Sequence, residues 1–372
     1  MTLIFPSEFA VNKGGVPQSI ISIVTELATK CDFNIVVICP SNSEMSKVPF
    51  PTTVKVLCTP QSEWIISKSH IYGTFCTVFS IYKLLRSYID KGAWLITNHA
   101  ATSALLSLMP CKHVPEVYIN RGGDFKDNSI SSIIMRYRIS RHKIEYAVGI
   151  SKRQVEMLKE TGQSEEYTFL VHNGLPLPTK IYSFRPLNSS FLSISTIGFI
   201  SDLKNQKEGV RLIKLLRDKG INAILNIYGI PDDDKEYQVE LSDLINQLGV
   251  KEYVNYCGFV TGEKLFENTD ILISFSKTEG FGRSIVEGML RYKPVIAWRG
   301  AGGPIDITQN GKYGHLVDNN EANDYCDVIL KLLNDPELNK QNTIESHQHA
   351  IENFTVDSMV DKYNRLFNKI CI

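Results

Sequence analysis

The feature that most constrains the fold of this chain is a repeated alternation of short apolar runs with helical patterns. Each run is continuously apolar rather than alternating, and each is followed by a turn rich in Gly, Asn or Ser. Continuous runs are typical of parallel strands that are buried on both faces. The pattern predicts strands within Phe33–Pro40, Ala93–Ala100, Glu116–Gly123, Tyr146–Ser151, Phe191–Ile200, Asn222–Gly229, Asp270–Ser276 and Pro294–Trp298. We therefore expect an α/β protein with doubly wound sheets.

The alternation is interrupted once, at Gly174–Ser190, a segment with three prolines and no helical period. Because 372 residues exceed what one hydrophobic core usually spans, we interpret it as a linker between two domains. These domains are 1–173 and 191–350. A terminal helix is predicted within 351–372, and one arrangement open to it is to cross back to the first domain. Two such domains are expected to face each other across a cleft, which is the default ligand site.

Charge and cysteine content exclude several classes of protein. Lys+Arg and Asp+Glu are equal at 40 each, so no global field attracts nucleic acid, and we expect no such partner. The eight cysteines are scattered without a CxxC pair, which favours reduced thiols over a disulfide framework or a zinc site. We see no apolar run of about 20 residues and no signal peptide at the N-terminus. We expect a cytoplasmic protein, with the inner face of the cytoplasmic membrane as an option.

Two glutamates, Glu279 and Glu287, stand on either side of seven residues after a predicted strand. One interpretation is a capping box, in which Ser284 caps a helix and Glu287 returns a hydrogen bond to the backbone. The other interpretation is a ligand site, since Gly280 and Gly282 let the backbone approach a ligand closely. A helix start attracts phosphate, and carboxylates accept hydrogen bonds from sugar hydroxyls. Together these features suit a nucleotide sugar.

This stretch resembles the E-x7-E motif of retaining glycosyltransferases with the GT-B fold, specifically glycosyltransferase family 4. Other stretches in the same order resemble the family's glycine-rich loop, interdomain junction and sequences after the motif. They are Gly14–Ser19, Val171–Pro178, Gly302–Thr308 and Gly311–Asp318. The resemblance covers nearly the whole chain, and it implies two Rossmann-like domains, the second of which binds the nucleotide sugar and the first the acceptor.

The resemblance also implies roles for individual residues. Glu279 faces the hydroxyls of the donor sugar, Glu287 holds the ribose, and the amides of 281–284 hold the diphosphate. The glycines of the N-terminal loop approach the diphosphate from the other domain, or else only form a tight strand-to-helix turn. The implied catalytic residues are Glu279, Lys204 and Arg121. The implied donor-binding residues are Gly14, Gly15, Val260, Gly280, Phe281, Gly282, Arg283, Ser284 and Glu287.

The chain departs from the family pattern at one cation. The family places an arginine and a lysine five positions apart after the first strand of the second domain. Here Lys204 stands at the lysine position, but Phe199 stands at the arginine position. The charge of a leaving diphosphate must be met by fixed cations when no metal is present, and Arg121, Lys207 and Arg283 are candidates to replace the arginine. Alternatively, Phe199 at the arginine position could mean that activity is weak or lost. Lys204 and Lys207 could also be no more than solvated residues at the start of a helix.

Where many family members have a His-Gly pair, this chain has Arg121 before two glycines. We expect Arg121 to face the cleft, and a surface salt bridge with Asp124 is the alternative. His99 also ends a predicted strand, where it is more simply explained as a satisfied polar group. The D-x-D formed by Asp232 and Asp234 could bind a divalent cation, but a solvated acidic turn is the simpler interpretation.

The segment 135–153 is rich in basic residues and has one acid, Glu145. Its cations are Arg136, Arg138, Arg141, Lys143, Lys152 and Arg153. A basic face of this kind can rest on anionic lipid, which would suit a lipid-linked acceptor, or it can simply be a solvated helix face.

These observations favour a retaining glycosyltransferase that needs no metal or other cofactor. We expect it to move a hexose from a nucleoside diphosphate sugar, with UDP favoured, to a hydroxyl of a growing glycan in cell-surface polysaccharide or lipopolysaccharide biosynthesis. A sugar-nucleotide epimerase with the same architecture and a non-catalytic sugar-binding protein remain alternatives. We discount a dinucleotide oxidoreductase, because no G-x-G-x-x-G follows a strand.

Overall fold

A computed structural model describes most of the chain, which forms two compact units. Unit 1 consists of Met1–Gly174 and Val356–Ile372, and unit 2 of Leu175–Thr355. The described residues are 1–7, 15–41, 43–59, 70–88, 92–109, 114–121, 125, 129–141, 143–232 and 235–370. Among the described residues, no helix combines the length and apolar character needed to cross a bilayer.

Unit 1 is built around parallel strands. These are β1 (Thr2–Pro6), β2 (Asn34–Pro40), β3 (Val54–Thr59), β4 (Ala93–Thr97), β5 (Glu116–Asn120), β6 (Tyr146–Gly149) and β7 (Thr168–Leu170). They form one sheet in the order β3-β2-β1-β4-β5-β6-β7. The helices are α1 (Gly15–Lys30), α2 (His70–Leu85), α3 (Ala100–Leu106), α4 (Ile130–Ser140), α5 (Lys152–Glu160) and, from the end of the chain, α13 (Val356–Ile370).

Unit 2 repeats this architecture. Its strands are β8 (Leu192–Ile197), β9 (Ala223–Tyr228), β10 (Val254–Gly258), β11 (Ile271–Ser274), β12 (Val295–Trp298) and β13 (His315–Val317). They are parallel, in the order β10-β9-β8-β11-β12-β13. The helices are α6 (Gln206–Asp218), α7 (Lys235–Gln247), α8 (Lys264–Glu267), α9 (Arg283–Met289), α10 (Gly303–Ile307), α11 (Ala322–Asn334) and α12 (Pro336–Phe354).

Burial explains why the continuous apolar runs became strands. In β2 every residue from Ile35 to Pro40 is buried, and in β8 every residue from Leu192 to Thr196 is buried. Strands covered by helices on both faces need this pattern, so the predicted α/β class with doubly wound sheets is confirmed. All eight predicted runs contain strands, although most strands end before the predicted boundary.

The segment interpreted as a linker lies almost entirely in unit 2. Its backbone and side chains bind α8 and the residue before it. The Thr179 amide donates to Glu263 Oε1 over 3.0 Å, the Tyr182 hydroxyl donates to Glu263 Oε2 over 2.5 Å, and Lys180 pairs with Glu267. The chain leaves unit 2 after Thr355, and α13 then packs on α1.

Each sheet has one point at which the strand order reverses. In unit 1 it lies between β1 and β4, and in unit 2 between β8 and β11. Loops that leave adjacent carboxyl ends there run in opposite directions and open a crevice, where open α/β sheets bind ligands. The loops after β8 and β11 are therefore the first place to look for a site in unit 2.

Candidate functional site

The loops that follow β8 and β11 are joined at the reversal point of unit 2. The Lys277 amide donates to the Leu203 carbonyl over 2.8 Å. The Lys277 ammonium also pairs with Asp202, with Nζ 2.6 Å from Oδ1. One backbone bond and one ion pair thus hold the two loops together, and they bring the next polar side chains of each loop into contact.

Lys204 and Glu279 meet at this junction. The Lys204 ammonium donates to Glu279 Oε1, and the Ser276 hydroxyl donates to the same oxygen over 2.9 Å. The two charged side chains are 23% and 15% exposed. Gly198 makes room for the lysine, because a Cβ there would lie 3.1 Å from Lys204 Cε. The sequence predicted both residues for one site, and the structure brings them together as an ion pair of restricted solvent access.

The backbone of Glu279 is fixed from the other side by the segment that begins α10. The Glu279 amide donates to the Ala301 carbonyl over 2.8 Å, and the Gly303 amide donates to the Glu279 carbonyl over 3.0 Å. A Cβ on Gly303 would stand 2.2 Å from the Phe281 carbonyl oxygen, so only glycine permits this approach. The Gly302–Thr308 stretch therefore positions the glutamate loop.

The helix that carries Glu287 begins two residues earlier than a capping box requires. Gly282 is the N-cap residue, with φ of 101°, and Arg283 is the first helical residue. Ser284 is thus the second helical residue and Glu287 the fifth, so the capping-box interpretation is wrong. A left-handed φ favours glycine at 282, whereas Gly280 is not among the glycines with positive φ.

Glu287 lies among arginines in a partly buried environment. Burial raises the pKa of its carboxyl, and the charges of Arg283 and Arg291 oppose that rise. Burial also lowers the pKa of Arg283, which Glu287 counteracts from one helical turn away. The site consequently offers a second carboxylate beside a guanidinium that is partly withdrawn from solvent.

Arg291 belongs to a cluster that no sequence motif indicates. Its Nε donates to Glu263 Oε2 over 2.9 Å, and its Nη2 donates to Glu263 Oε1 over 3.2 Å. Burial opposes ionisation of Glu263, but hydrogen bonds from Arg291 and Tyr182 outweigh it and hold the pKa of Glu263 at about 2. A further Arg291 nitrogen donates to the Glu287 carbonyl over 3.1 Å. This cluster ties the 175–190 segment to α9.

The candidates for the missing cation differ in their surroundings. Lys207 pairs with Glu240 and lies 4.6 Å from the centroid of the Tyr237 ring, so its ammonium is directed to α7. Phe199 is 46% exposed, which excludes a core role for the residue at the arginine position. In unit 2, Arg283 therefore remains the better-placed candidate.

The other donor-site residues expected in unit 2 differ in exposure. Val260 follows β10 and is partly exposed, as is Ser284. The Phe281 ring is buried, with its centroid 5.7 Å from that of Phe354. Any contact of Phe281 with a ligand is therefore limited to its backbone. Gly280 lies in the same loop and is partly exposed.

In unit 1, Arg121 stands at the carboxyl end of β5. Its Nε donates to Asn98 Oδ1 over 2.9 Å, and its Nη1 donates to Asn173 Oδ1 over 2.8 Å. Both acceptors are neutral amides, so these two bonds orient the guanidinium without cancelling its charge. His99 is exposed at the start of α3. Asp124, the alternative partner of Arg121, lies outside the described residues.

The glycine-rich loop of unit 1 is only partly described. Gly15 begins α1, and Gly14 lies outside the described residues. In the possible D-x-D of unit 2, Asp232 is exposed and Asp234 lies outside the described residues. Within the described part of the chain, no group of three or more His, Cys, Asp or Glu side chains could hold a metal ion.

The basic segment 135–153 is not one continuous face. Arg138 is buried, and its Nη2 lies 2.6 Å from Glu116 Oε2 in an ion pair with a buried partner. The segment also contains the strand β6, which is mostly buried. The prediction of one basic face over 135–153 is therefore wrong, and the basic surface is limited to the outer side of α4 and the residues that follow it.

Comparison with known proteins assigns a domain in the second half of the chain to a family. Residues 187–349 match the family model described as Glycosyl transferases group 1. The chain is 29% identical over 182 residues to the poly(ribitol-phosphate) alpha-N-acetylglucosaminyltransferase of Staphylococcus aureus (strain COL), covering 48% of this chain and 36% of that protein. It is 26% identical over 227 residues to the trehalose synthase of Pyrococcus horikoshii, covering 59% and 50%. The chain thus spans half or less of the length of these two curated relatives.

Solved structures resemble almost the whole chain. The HepE protein of Anabaena in complex with UDP superposes with a TM-score of 0.78 at 18% identity, covering 99% of this chain and 100% of that one. The lipopolysaccharide outer core galactosyltransferase WaaB in its apo form gives a TM-score of 0.72 at 17% identity, with 99% and 100% covered. Residues 187–349 therefore form a glycosyl transferases group 1 domain, and the fold of the chain is the GT-B fold of these solved structures.

Proposed function

We propose that the protein moves a hexose from a UDP-sugar to a hydroxyl of a growing glycan. The observation that carries this proposal is the Lys204–Glu279 pair at the strand-order reversal of unit 2, with Glu287 and Arg283 on the following helix. Complexes of the structural neighbour HepE with UDP, and with UDP and glucose, support UDP as the nucleotide.

In this proposal the polar groups divide between the two halves of the donor. Glu279 accepts hydrogen bonds from the sugar hydroxyls, because its carboxylate is already oriented by Ser276 and Lys204. Glu287 accepts hydrogen bonds from the ribose. Lys204 and Arg283 meet the negative charge that grows on the diphosphate. These fixed cations are the reason for proposing that no metal is required.

We further propose that the reaction retains the anomeric configuration. The bond between the anomeric carbon and the phosphate oxygen breaks with its electron pair on UDP, and the acceptor oxygen bonds to that carbon on the same face. The acceptor's proton passes to the departing phosphate. This course follows from the family resemblance, and it places the demand for charge stabilisation on Lys204.

The names of several relatives guide the choice of acceptor. They include an N-acetylglucosaminyltransferase acting on poly(ribitol phosphate) and a lipopolysaccharide outer core galactosyltransferase. We therefore propose a cell-surface polysaccharide or lipopolysaccharide, free or lipid-linked, as the acceptor. Synthesis on the cytoplasmic side of the membrane would give the enzyme access to UDP-sugars.

The test is UDP release from UDP-glucose, UDP-galactose and UDP-N-acetylglucosamine, with and without glycan acceptors and with and without EDTA. We expect one donor to give acceptor-dependent UDP and a lengthened glycan, both insensitive to EDTA. Glu279→Gln should abolish transfer. The control is Lys214→Ala, which removes an exposed charge near the C-terminal end of α6, outside the two loops of the site. UDP and free sugar without transfer would favour the epimerase, and ligand binding without turnover would favour a sugar-binding protein.

A further inference from the structure

The outer face of α4 exposes large apolar side chains. Ile130, Ile133 and Tyr137 are 65%, 50% and 52% exposed. Their spacing of three and four residues places them in one stripe along the helix. The opposite face buries Met135 and Ile139 in the core of unit 1. Because a surface helix normally turns a polar face to solvent, this second apolar stripe needs another explanation.

The C-terminal end of this stripe is cationic. Lys143 Nζ lies 4.8 Å from the centroid of the Tyr137 ring and donates to the Tyr137 hydroxyl over 3.3 Å. Arg141 and Lys143 are both exposed, and the α4 sequence contains no acidic residue. Arg138 does not contribute to this surface, because it is buried in an ion pair. A tyrosine with its polar end beside a lysine is typical of the boundary between water and lipid.

The size of the stripe argues against a second copy of the chain as its partner. Three partly exposed side chains offer on the order of a few hundred Å² of apolar surface. A stable protein interface buries about 800 Å² on each partner. A lipid surface has no such minimum, since insertion of a few apolar groups and attraction of cations to anionic headgroups are sufficient.

A cavity beside α4 is a less suitable place for lipid headgroups than the cationic end of the stripe. It has a volume of about 570 Å³ and is lined by Arg136 and Tyr137 on one side and Glu160 on the other. One cation, Arg136, and one carboxylate, Glu160, line the cavity, so it has no excess of positive charge to attract an anionic headgroup. Arg141 and Lys143 lie instead at the end of the stripe and are exposed.

We propose that the outer face of α4, formed by Ile130, Ile133 and Tyr137 with Arg141 and Lys143, docks the protein on a bilayer that contains anionic lipid. The isoleucines and the tyrosine ring enter the interface between headgroups and acyl chains. The two cations contact lipid phosphates. This inference does not depend on the proposed sugar transfer, since it concerns a surface of unit 1 that contains none of the donor-site residues.

The structure sets the expected size of each contribution. Half to two-thirds of each isoleucine is exposed, so its insertion should strengthen binding about five- to tenfold. Each cation near an anionic surface should contribute about fivefold at low salt. Ile130→Ser with Ile133→Ser should therefore weaken binding at least about 25-fold, as should Arg141→Gln with Lys143→Gln. Binding of the isoleucine double variant should still weaken with salt, whereas binding of the Arg141 and Lys143 double variant should lose most of its salt dependence.

The experiment is co-sedimentation of the full chain with vesicles of phosphatidylcholine alone or with about one-third phosphatidylglycerol. We expect binding to the anionic vesicles only, weakened by salt and by both double variants. Val239→Ser is the matched control, because Val239 is 60% exposed on α7 of unit 2. The melting temperatures of all variants should match the wild type, since the changed side chains are exposed.

Three results would overturn the proposal. The first is absence of binding to anionic vesicles, and the second is equal binding by the wild type and the isoleucine double variant. The third is a wild-type protein that self-associates in analytical ultracentrifugation and dissociates in the isoleucine double variant, which would assign the stripe to a second copy.

Discussion

Replacing Lys204 with methionine tests the candidate site most directly. The variant removes the ammonium that binds Glu279 but keeps an unbranched side chain that can still lie over Gly198. If Lys204 meets the charge of the leaving diphosphate, the loss appears mainly in the transition state. We expect kcat to fall at least about tenfold, which corresponds to about 1.4 kcal/mol in the barrier.

The same variant should also lower stability by a predictable amount. Glu279 is 15% exposed, so removing its cation leaves a largely desolvated carboxylate with only the Ser276 hydroxyl of its two donors. A hydrogen bond to a charged group contributes about 1.5–3 kcal/mol. For a domain of this size, 1 kcal/mol changes the melting temperature by roughly 2–4 °C. We therefore expect a drop of several degrees without ligand.

The assay combines steady-state UDP release with thermal unfolding for Lys204→Met, Glu279→Gln and the double variant. If Lys204 and Glu279 act together in catalysis, kcat of the double variant should be only slightly lower than kcat of either single variant. Lys214→Met serves as the control, because its pair with Asp218 is exposed, lies outside the site and contributes about 0–1 kcal/mol. Wild-type kcat in Lys204→Met, or full additivity in the double variant, would refute a shared role in catalysis.

Other consequences can be checked independently. Phe199→Arg should leave the melting temperature unchanged and leave kcat equal or higher, because the side chain is exposed; a large fall in melting temperature would contradict the exposure. Glu287→Gln should weaken UDP binding in calorimetry by roughly 1.5–3 kcal/mol, and unchanged affinity would refute a role in ribose binding. Glu263 has a folded pKa of about 2, below its ordinary 4.5. Its contribution to the free energy of unfolding is therefore present above pH 4.5 and lost as the pH falls toward 2. Glu263→Gln should flatten the wild-type dependence of stability on pH in that range, and an identical slope in chemical denaturation would count against the cluster.

The fold was accessible from the sequence because it depends on periodicity. Short continuous apolar runs such as that of β2 are typical of parallel strands, which helices bury on both faces. The strands that escaped prediction include β7 and β13, which have three residues each and too little pattern to detect. The predicted start of α9 at Ser284 is wrong because Gly282 is the N-cap residue, in a left-handed conformation that the neighbouring residues do not predict.

The site was predicted only where a local motif carried it. Glu279 and Lys204 occupy loops that parallel strands bring to one edge, so their meeting follows from topology. The pairing of Glu263 with Arg291 joins positions 28 residues apart in the chain and has no local signal. The burial of Arg138 could not be predicted from the sequence for the same reason, since its partner Glu116 lies on a strand 22 positions earlier.

The division of the chain between the units has a consequence for its synthesis. Unit 2 is one uninterrupted segment, whereas unit 1 is completed by α13, which follows unit 2 in the sequence. At the crossings, the Leu175 amide donates to the Phe354 carbonyl over 2.8 Å, so the ends of unit 2 are adjacent. On the ribosome, unit 2 can finish folding while the place of α13 against α1 is still vacant. The first unit to be translated is therefore the last to be completed.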